Sequence, residues 1–285
     1  MKTNISLRLF VCSALVILAH PVNRLGAEEP NVSERTFRAS DRSLEKYVLR
    51  WPANQGNRDR VRLLIALHGH GSDRWQFIRD KRSECRAVRD MADRYGWVVV
   101  SPDYRGRTSW MGPQAESDLL TLMNLLDQQY QVEAIVLCGG SMGGSSALTF
   151  TALHPAEIAG VISLNGTANL VEYKKFPEAI ARSYGGTRDQ IPSEYRRRSA
   201  EFFPERFSMP VAATTGGRDA VVPPDSVLRL IRAIRTRNPD VLSIHRPEGG
   251  HSTDYDDSCR AVEFVITRLQ ARSQSRNHRD KGMQR

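Results

Sequence analysis

Ser141 lies in Gly139-Gly140-Ser141-Met142-Gly143, a G-x-S-x-G pattern that can present a hydroxyl nucleophile. Downstream, Asp219 follows Gly216-Gly217-Arg218, and His251 follows Gly249-Gly250. A serine hydroxyl attacks a carbonyl well only when a base takes its proton, and that base needs a carboxylate to orient it. Serine, acid and histidine in this chain order, each beside glycines that permit tight turns, fit acyl transfer. Taken singly, each residue has a plainer reading: a glycine-rich strand–helix connection with or without a phosphate, a solvated turn aspartate, a loop histidine. The other histidines are weaker bases. His154 precedes Pro155 at a helix end, His245 lies within a strand, and His278 is near the C-terminus. Glu248 rivals Asp219 only if the His251 loop takes another shape.

Acyl transfer also needs donors for the negative oxygen that develops on the carbonyl. His68-Gly69-His70-Gly71 closes an apolar run from Val61 to Leu67, and the backbone N–H groups of His70 and Met142 are the candidate donors. Each such donor is worth about 3–4 kcal/mol in comparable enzymes. His68 and His70 also have the alternate spacing of two metal ligands. No third and fourth ligand stands at usable spacing, so the reading calls for no metal and no organic cofactor. Tyr104, Arg105 and Trp110 follow the strand that ends near Pro102; they edge the pocket or form a structural loop.

These groups must be carried by a scaffold, and the chain alternates short apolar runs with helical patterns. Val61–Leu67, Trp97–Ser101, Ala134–Cys138, Gly160–Leu164, Val211–Thr215 and Val241–His245 read as strands. Ser83–Tyr95, Ala115–Tyr130, Asp225–Thr236 and Asp256–Gln270 carry helical spacing, and another helix follows Ser141. Alternating β and α with near-continuous apolar strands predicts a mostly parallel sheet covered on both faces, a three-layer α/β/α sandwich. Residues 31–50 add an antiparallel edge strand. Ser141 then occupies a sharp strand-to-helix turn, where side chains at positions 139 and 143 would clash. One segment breaks the rhythm. The stretch 165–210 is longer than the usual αβ connection and follows a strand end, which predicts a cap or pocket wall over the site, or a decorated connection.

Composition bounds the rest. The chain has 285 residues and a net charge of +9. Residues 1–27 have the form of an export signal: Lys2 and Arg8, an apolar core from Leu9 to Ala19, and a small residue at Ala27. That core is too short to span a bilayer, so no membrane span is expected once the signal is removed. Residues 28–270 are of a length suited to one catalytic domain. Part of the positive charge belongs to the signal and part to the 271–285 segment, where Arg272, Arg276, Arg279, Lys281 and Arg285 face only Asp280. That segment reads as a disordered basic tail. No basic face interleaved with aromatics is present, which argues against a nucleic-acid partner. Cys138 ends the strand before Ser141 and reads as a small core residue.

The motifs L-H-G-H-G (67–71), G-G-S-M-G-G (139–144), P-S-E-Y-R-R-R-S (192–199), G-G-R-D-A-V-V-P (216–223) and G-G-H-S (249–252) resemble those of the α/β-hydrolase fold. The tyrosine-arginine-serine segment is similar to the prolyl-oligopeptidase-like and secreted-esterase branch. The resemblance runs from about Val61 to Leu269. It implies Ser141 as nucleophile, Asp219 as acid and His251 as base, in an exported serine hydrolase of small-molecule or polymer esters. The oligopeptidases of that branch carry a large N-terminal β-propeller for which the chain has no room, so the expectation leans to an esterase. A peptidase or amidase with the same triad is the alternative, and a hydrolase-shaped binding protein the third. In that fold the helices bearing Cys85 and Cys259 lie side by side, which implies a disulfide between them in an exported protein.

Overall fold

Valine- and isoleucine-rich runs bounded by glycine, proline and polar turns become strands, and the amphipathic stretches between them become helices. The computed structural model describes residues 31–53 and 59–283, with side chains as far as 275. The signal-like residues 1–27 lie outside the described residues. In chain order the elements are β1 (Val32–Arg38), β2 (Leu44–Arg50), β3 (Arg60–Leu67), α1 (Gln76–Arg79), α2 (Ser83–Tyr95), β4 (Val98–Pro102), α3 (Pro113–Gln129), β5 (Gln131–Gly140), α4 (Met142–Leu153), β6 (Gly160–Leu164), α5 (Pro177–Tyr184), α6 (Pro192–Arg197), β7 (Val211–Gly216), α7 (Asp225–Arg235), β8 (Val241–Arg246) and α8 (Tyr255–Met283).

The strands form one sheet in the order β1-β2-β4-β3-β5-β6-β7-β8. From β4 through β8 neighbours run parallel; β2 is antiparallel to β4, and β1 to β2. Two apolar clusters cover the two faces. Phe77, Val88, Met91, Val262 and Ile266 from α1, α2 and α8 fill one, and Leu119, Leu122, Phe150, Ile180 and Leu230 from α3, α4, α5 and α7 fill the other. The result is the three-layer α/β/α architecture expected from the alternation. Helix α7 shows how the sequence enforces it: Val227, Leu230, Ile231 and Ile234 recur at helical spacing and are all buried. Burial of each such side chain is worth about 1.5–3 kcal/mol relative to exposure.

The fold departs from the sequence reading in three places. The expected single edge strand is a hairpin, because β1 reads V-S-E-R-T-F-R and buries only Phe37, a weak apolar signal. Residues 271–283 continue α8 as helix rather than forming a disordered tail. Until Gly282 nothing there breaks a helix, and Arg272 ties the extension down through Asp240 Oδ2 at 2.8 Å and the Ser208 carbonyl at 3.0 Å. Cys85 and Cys259 are free thiols rather than a disulfide. Their helices do pack together, but Cys85 belongs to the apolar cluster against the sheet, where burial pushes its thiol up to about 12. Cys259 is only half-buried, beside the Tyr255 hydroxyl.

Strand register positions the site. Leu67 pairs with Gly139, Gly140 with Leu164, Leu164 with Thr214, and Gly216 with Arg246. The carboxyl ends of β3, β5, β6, β7 and β8 therefore finish along one edge of the sheet. Strand order reverses between β3 and β5, and open α/β sheets bind ligands at such a point. Among the described residues, no helix is long and apolar enough to cross a membrane.

Candidate active site

Ser141 holds φ +56° and ψ −118°, a conformation that costs a residue with a side chain about 1–3 kcal/mol. The neighbouring glycines make the turn possible. A Cβ at Gly139 would come within 2.3 Å of the Gly143 carbonyl carbon, and one at Gly143 within 1.9 Å of the Leu67 oxygen. The turn leaves the Ser141 amide bonded to the Leu164 carbonyl at 2.8 Å and lifts the hydroxyl clear of the sheet.

The Ser141 hydroxyl donates to His251 Nε2 at 2.8 Å, and His251 Nδ1–H donates to Asp219 Oδ2 at 2.7 Å. A carboxylate only accepts, so Asp219 fixes the imidazole proton on Nδ1 and leaves Nε2 as a base. The other carboxylate oxygen of Asp219 accepts the amides of Val221 and Val222 at 2.9 and 2.8 Å. Asp219 is nearly closed to water, whereas His251 is a quarter exposed and open to substrate. Glu248 takes no part; it is exposed and pairs with Arg218. His154 binds Glu116 at 2.8 Å and His245 meets Thr215 at 2.9 Å, both away from Ser141.

Met142 is the first residue of α4, so its amide has no acceptor inside the helix. Among the described residues, neither this amide nor that of His70 donates to a protein group. The His70 loop is fixed from both sides: Gly69 N–H donates to Gln76 Oε1 and Gly71 N–H to the Arg107 carbonyl, each at 2.8 Å. The two histidines of the loop are spent on structure. His68 is buried, its ring nitrogens facing the carbonyls of Gly69 and Asp103 at 2.9 and 3.2 Å. Nδ1 of His70 accepts from Trp110 Nε1 at 3.1 Å, and its ring stacks on Phe176 at 4.1 Å. Burial holds both imidazoles below the ordinary histidine pKa, which keeps them neutral. Among the described residues, no cluster of histidine, cysteine and carboxylate side chains is arranged to hold a metal.

A cleft of about 280 Å³ opens beside Ser141, lined by Gly69, His70, Gln76, Arg82, Glu84, Leu164, Asn165, Phe176, Val221 and the His251 loop. Tyr104 and Trp110 are not on this lining. They stand behind the His70 loop, 1% and 2% exposed, because positive φ angles at Tyr104, Arg105, Trp110 and Met111 fold their loop back under it. The Tyr104 hydroxyl donates to the His68 carbonyl at 2.6 Å, and Arg105 forks onto buried Asp118 at 2.6 and 2.8 Å.

Sequence reasoning missed three residues. Asn165, at the end of β6 with φ +52°, accepts from the hydroxyls of Thr214 and Thr253 and donates to the Gly250 carbonyl at 3.1 Å. With these bonds, and a longer one of 3.5 Å to Asp219 Oδ2, it ties the acid-bearing and histidine-bearing loops to the central sheet. Its place right after an apolar strand was the available signal. Phe176 reaches the cleft from the 165–210 segment, and Gln76 supports the His70 loop; neither carries a local motif. Apart from Asn165 and Phe176, that segment packs away from the cleft. It is anchored by Arg198, fully buried, which reaches Glu194, Glu116 and the Met111 carbonyl at 2.6 Å each.

Known proteins show the family and the fold. A sequence model of the prolyl oligopeptidase family matches residues 88–265, from within α2 into α8. This chain belongs to the prolyl oligopeptidase family. Its fold is that of the α/β-hydrolase serine hydrolases. A puromycin hydrolase structure superposes with a TM-score of 0.68 at 19% identity, covering 85% of this chain and 39% of that one. A ferulic acid esterase gives 0.62 at 17% identity, covering 84% of this chain and 98% of the other. The fluorophosphonate-binding serine hydrolase F of Staphylococcus aureus gives 0.62 at 15% identity, covering 84% and 97%. The chain thus spans about two fifths of the longer hydrolase and nearly all of the two shorter ones. No curated protein matches it in sequence.

Proposed function

We propose that this member of the prolyl oligopeptidase family is an exported esterase that cleaves carboxylic esters through an acyl-enzyme. The observation that carries the reading is the unbroken relay from Ser141 through His251 to Asp219, beside the amides of His70 and Met142, which have no protein acceptor among the described residues. His251 Nε2 takes the Ser141 proton as Oγ bonds to the ester carbonyl carbon. The carbonyl oxygen becomes an anion held by the His70 and Met142 amides. As the C–O bond breaks, His251 returns the proton to the leaving alcohol. Water then completes the cycle: His251 takes its proton as the water oxygen bonds to the acyl carbon, and as the bond to Ser141 Oγ breaks His251 returns that proton to Oγ and the acid departs.

The small cleft and the near full-length overlap with a ferulic acid esterase support ester over peptide substrates. Family membership favours the second reading, a peptidase or amidase using the same residues. Hydrolysis of p-nitrophenyl acetate and of a proline p-nitroanilide, measured side by side, separates the two. Turnover of the anilide alone would sink the esterase reading. A fluorophosphonate probe should label wild type and not Ser141→Ala; folded wild type that resists labelling would overturn acyl transfer altogether. Export rests on the pattern Lys2, Arg8 and Leu9–Ala19, and the N-terminal sequence of secreted material tests it.

A further inference from the structure

Gln76 begins the short helix α1 and is only 6% exposed. Its Oε1 accepts from the Gly69 N–H at 2.8 Å, and this bond decides which way the carboxamide faces, because the amide N–H can only be met by the oxygen. The NH2 end is left without a protein acceptor among the described residues, while the side chain lines the cleft that holds Ser141. The two groups are close neighbours: a methyl on Gly69 would lie 3.7 Å from Gln76 Oε1 and 3.8 Å from Ser141 Cβ. The carboxamide nitrogen is not sealed off: it opens onto the cleft, so a donor oriented by Gly69 is met there by water or by a ligand. The amides of His70 and Met142 already serve the oxyanion in the proposed mechanism.

We infer that Gln76 is a substrate-contacting residue whose Nε2–H donates to a second oxygen of the substrate, close to the scissile carbonyl. The inference rests on acyl transfer at Ser141. The substrate class follows from it. An ester bearing an ether, hydroxyl or sugar oxygen next to the reacting carbonyl gives the donor an acceptor; a pure hydrocarbon ester expels the water and strands the N–H. Sites built to bond a substrate oxygen reject analogues that lack it.

Isosteric substrate pairs isolate this contact. p-Nitrophenyl methoxyacetate and butyrate differ by O for CH2 on the acyl side, and 2-methoxyethyl and n-butyl acetate do so on the alcohol side. The ratio of kcat/KM within a pair, compared between wild type and variant, cancels intrinsic reactivity and any general damage to the oxyanion loop. Gln76→Met removes donor and acceptor. Gln76→Glu keeps the acceptor for Gly69 and removes the donor. Both variants should lower the ether-to-hydrocarbon ratio about tenfold for at least one pair, the worth of one hydrogen bond. Ratios unchanged in both variants overturn the inference and leave Gln76 as a support for Gly69 alone. A drop in Gln76→Met without one in Gln76→Glu also overturns it, since displacement of the loop then explains the loss. If folded wild type cleaves no ester, the esterase reading fails separately, and the methoxyacetyl and butyryl anilides carry the same acyl-side test.

Discussion

The two walls of the cleft are built on different principles. On one side, Ser141, Asp219 and His251 follow the ends of β5, β7 and β8, and the register of β5, β6, β7 and β8 sets their separations. On the other, Phe176 reaches His70 from the 165–210 segment, whose position depends on one buried arginine and a cluster of aromatic rings. The first wall is fixed by backbone hydrogen bonds, which do not depend on side-chain identity. The second is fixed by side chains, and a substitution far from the cleft can reshape it. Chemistry therefore belongs to the rigid wall and selectivity to the adjustable one.

Substitutions on the strand-end wall should cost activity out of proportion to stability. Ser141→Ala is expected to lower kcat by about 10⁴-fold or more while leaving the fold intact, read from ester turnover and urea unfolding. Ser141→Gly, equally inactive, should raise stability by about 1 kcal/mol, because glycine takes a positive φ without strain. If Ser141→Gly is no more stable than Ser141→Ala, the turn stores no strain.

On the opposite wall the order inverts. Arg198→Met takes the buried cation from Glu116 and Glu194 and leaves them the more exposed Arg197, and loss of one partner from a buried ion network costs up to about 3–5 kcal/mol. Adding Glu116→Gln and Glu194→Gln should recover most of that loss, since the penalty lies in uncompensated charge. Failure of the triple variant to recover would locate the arginine's role in packing against Tyr184, whose ring lies 5.4 Å from the guanidinium. Phe176→Ala should have a smaller and more selective effect. It uncovers the cleft beside His70, so octanoyl esters should gain about tenfold over acetyl esters in kcat/KM. An unchanged acyl preference would remove Phe176 from the wall that selects substrate.

The same contrast explains what was legible in the sequence. The strands, their parallel order and the glycines around Ser141, Asp219 and His251 are local signals, because a steric need at one position is met by a residue type at that position. Asn165 was half-legible: its place after β6 was visible, but its four partners lie on β7 and on the loops that follow β7 and β8. Tyr104 and Trp110 follow β4, a place in the sequence that fits either a pocket edge or a structural loop. Their backbone turns them behind the loop, and a positive φ at a non-glycine residue leaves no trace in composition. Phe176, Gln76 and Arg198 act through contacts between residues distant in the chain, which no local pattern records. The 271–283 helix was obscured by charge, whereas Arg272 is held by Asp240 across the fold.

The smallest expected effect probes the seam between the walls. His70 lends its backbone to the first and its ring to the second, where it accepts from Trp110 and stacks on Phe176. Burial holds its pKa below the ordinary value, so the folded protein binds fewer protons here than the unfolded chain, in which histidine titrates near 6.5. Stability from this neutral ring is therefore complete well above pH 6.5 and is lost as pH falls below it. His68, more deeply buried, contributes a slope of the same sign. Wild type should lose urea resistance between pH 7.5 and 5.5, a window above the titration of most carboxylates. His70→Gln keeps an acceptor for Trp110 and removes the titrating ring, so it should be less stable than wild type at pH 7.5 and draw level as the pH falls. Parallel pH profiles for the two proteins would show that the ring is no more burdened by protonation when folded, and that the aromatic wall does not depend on a neutral His70.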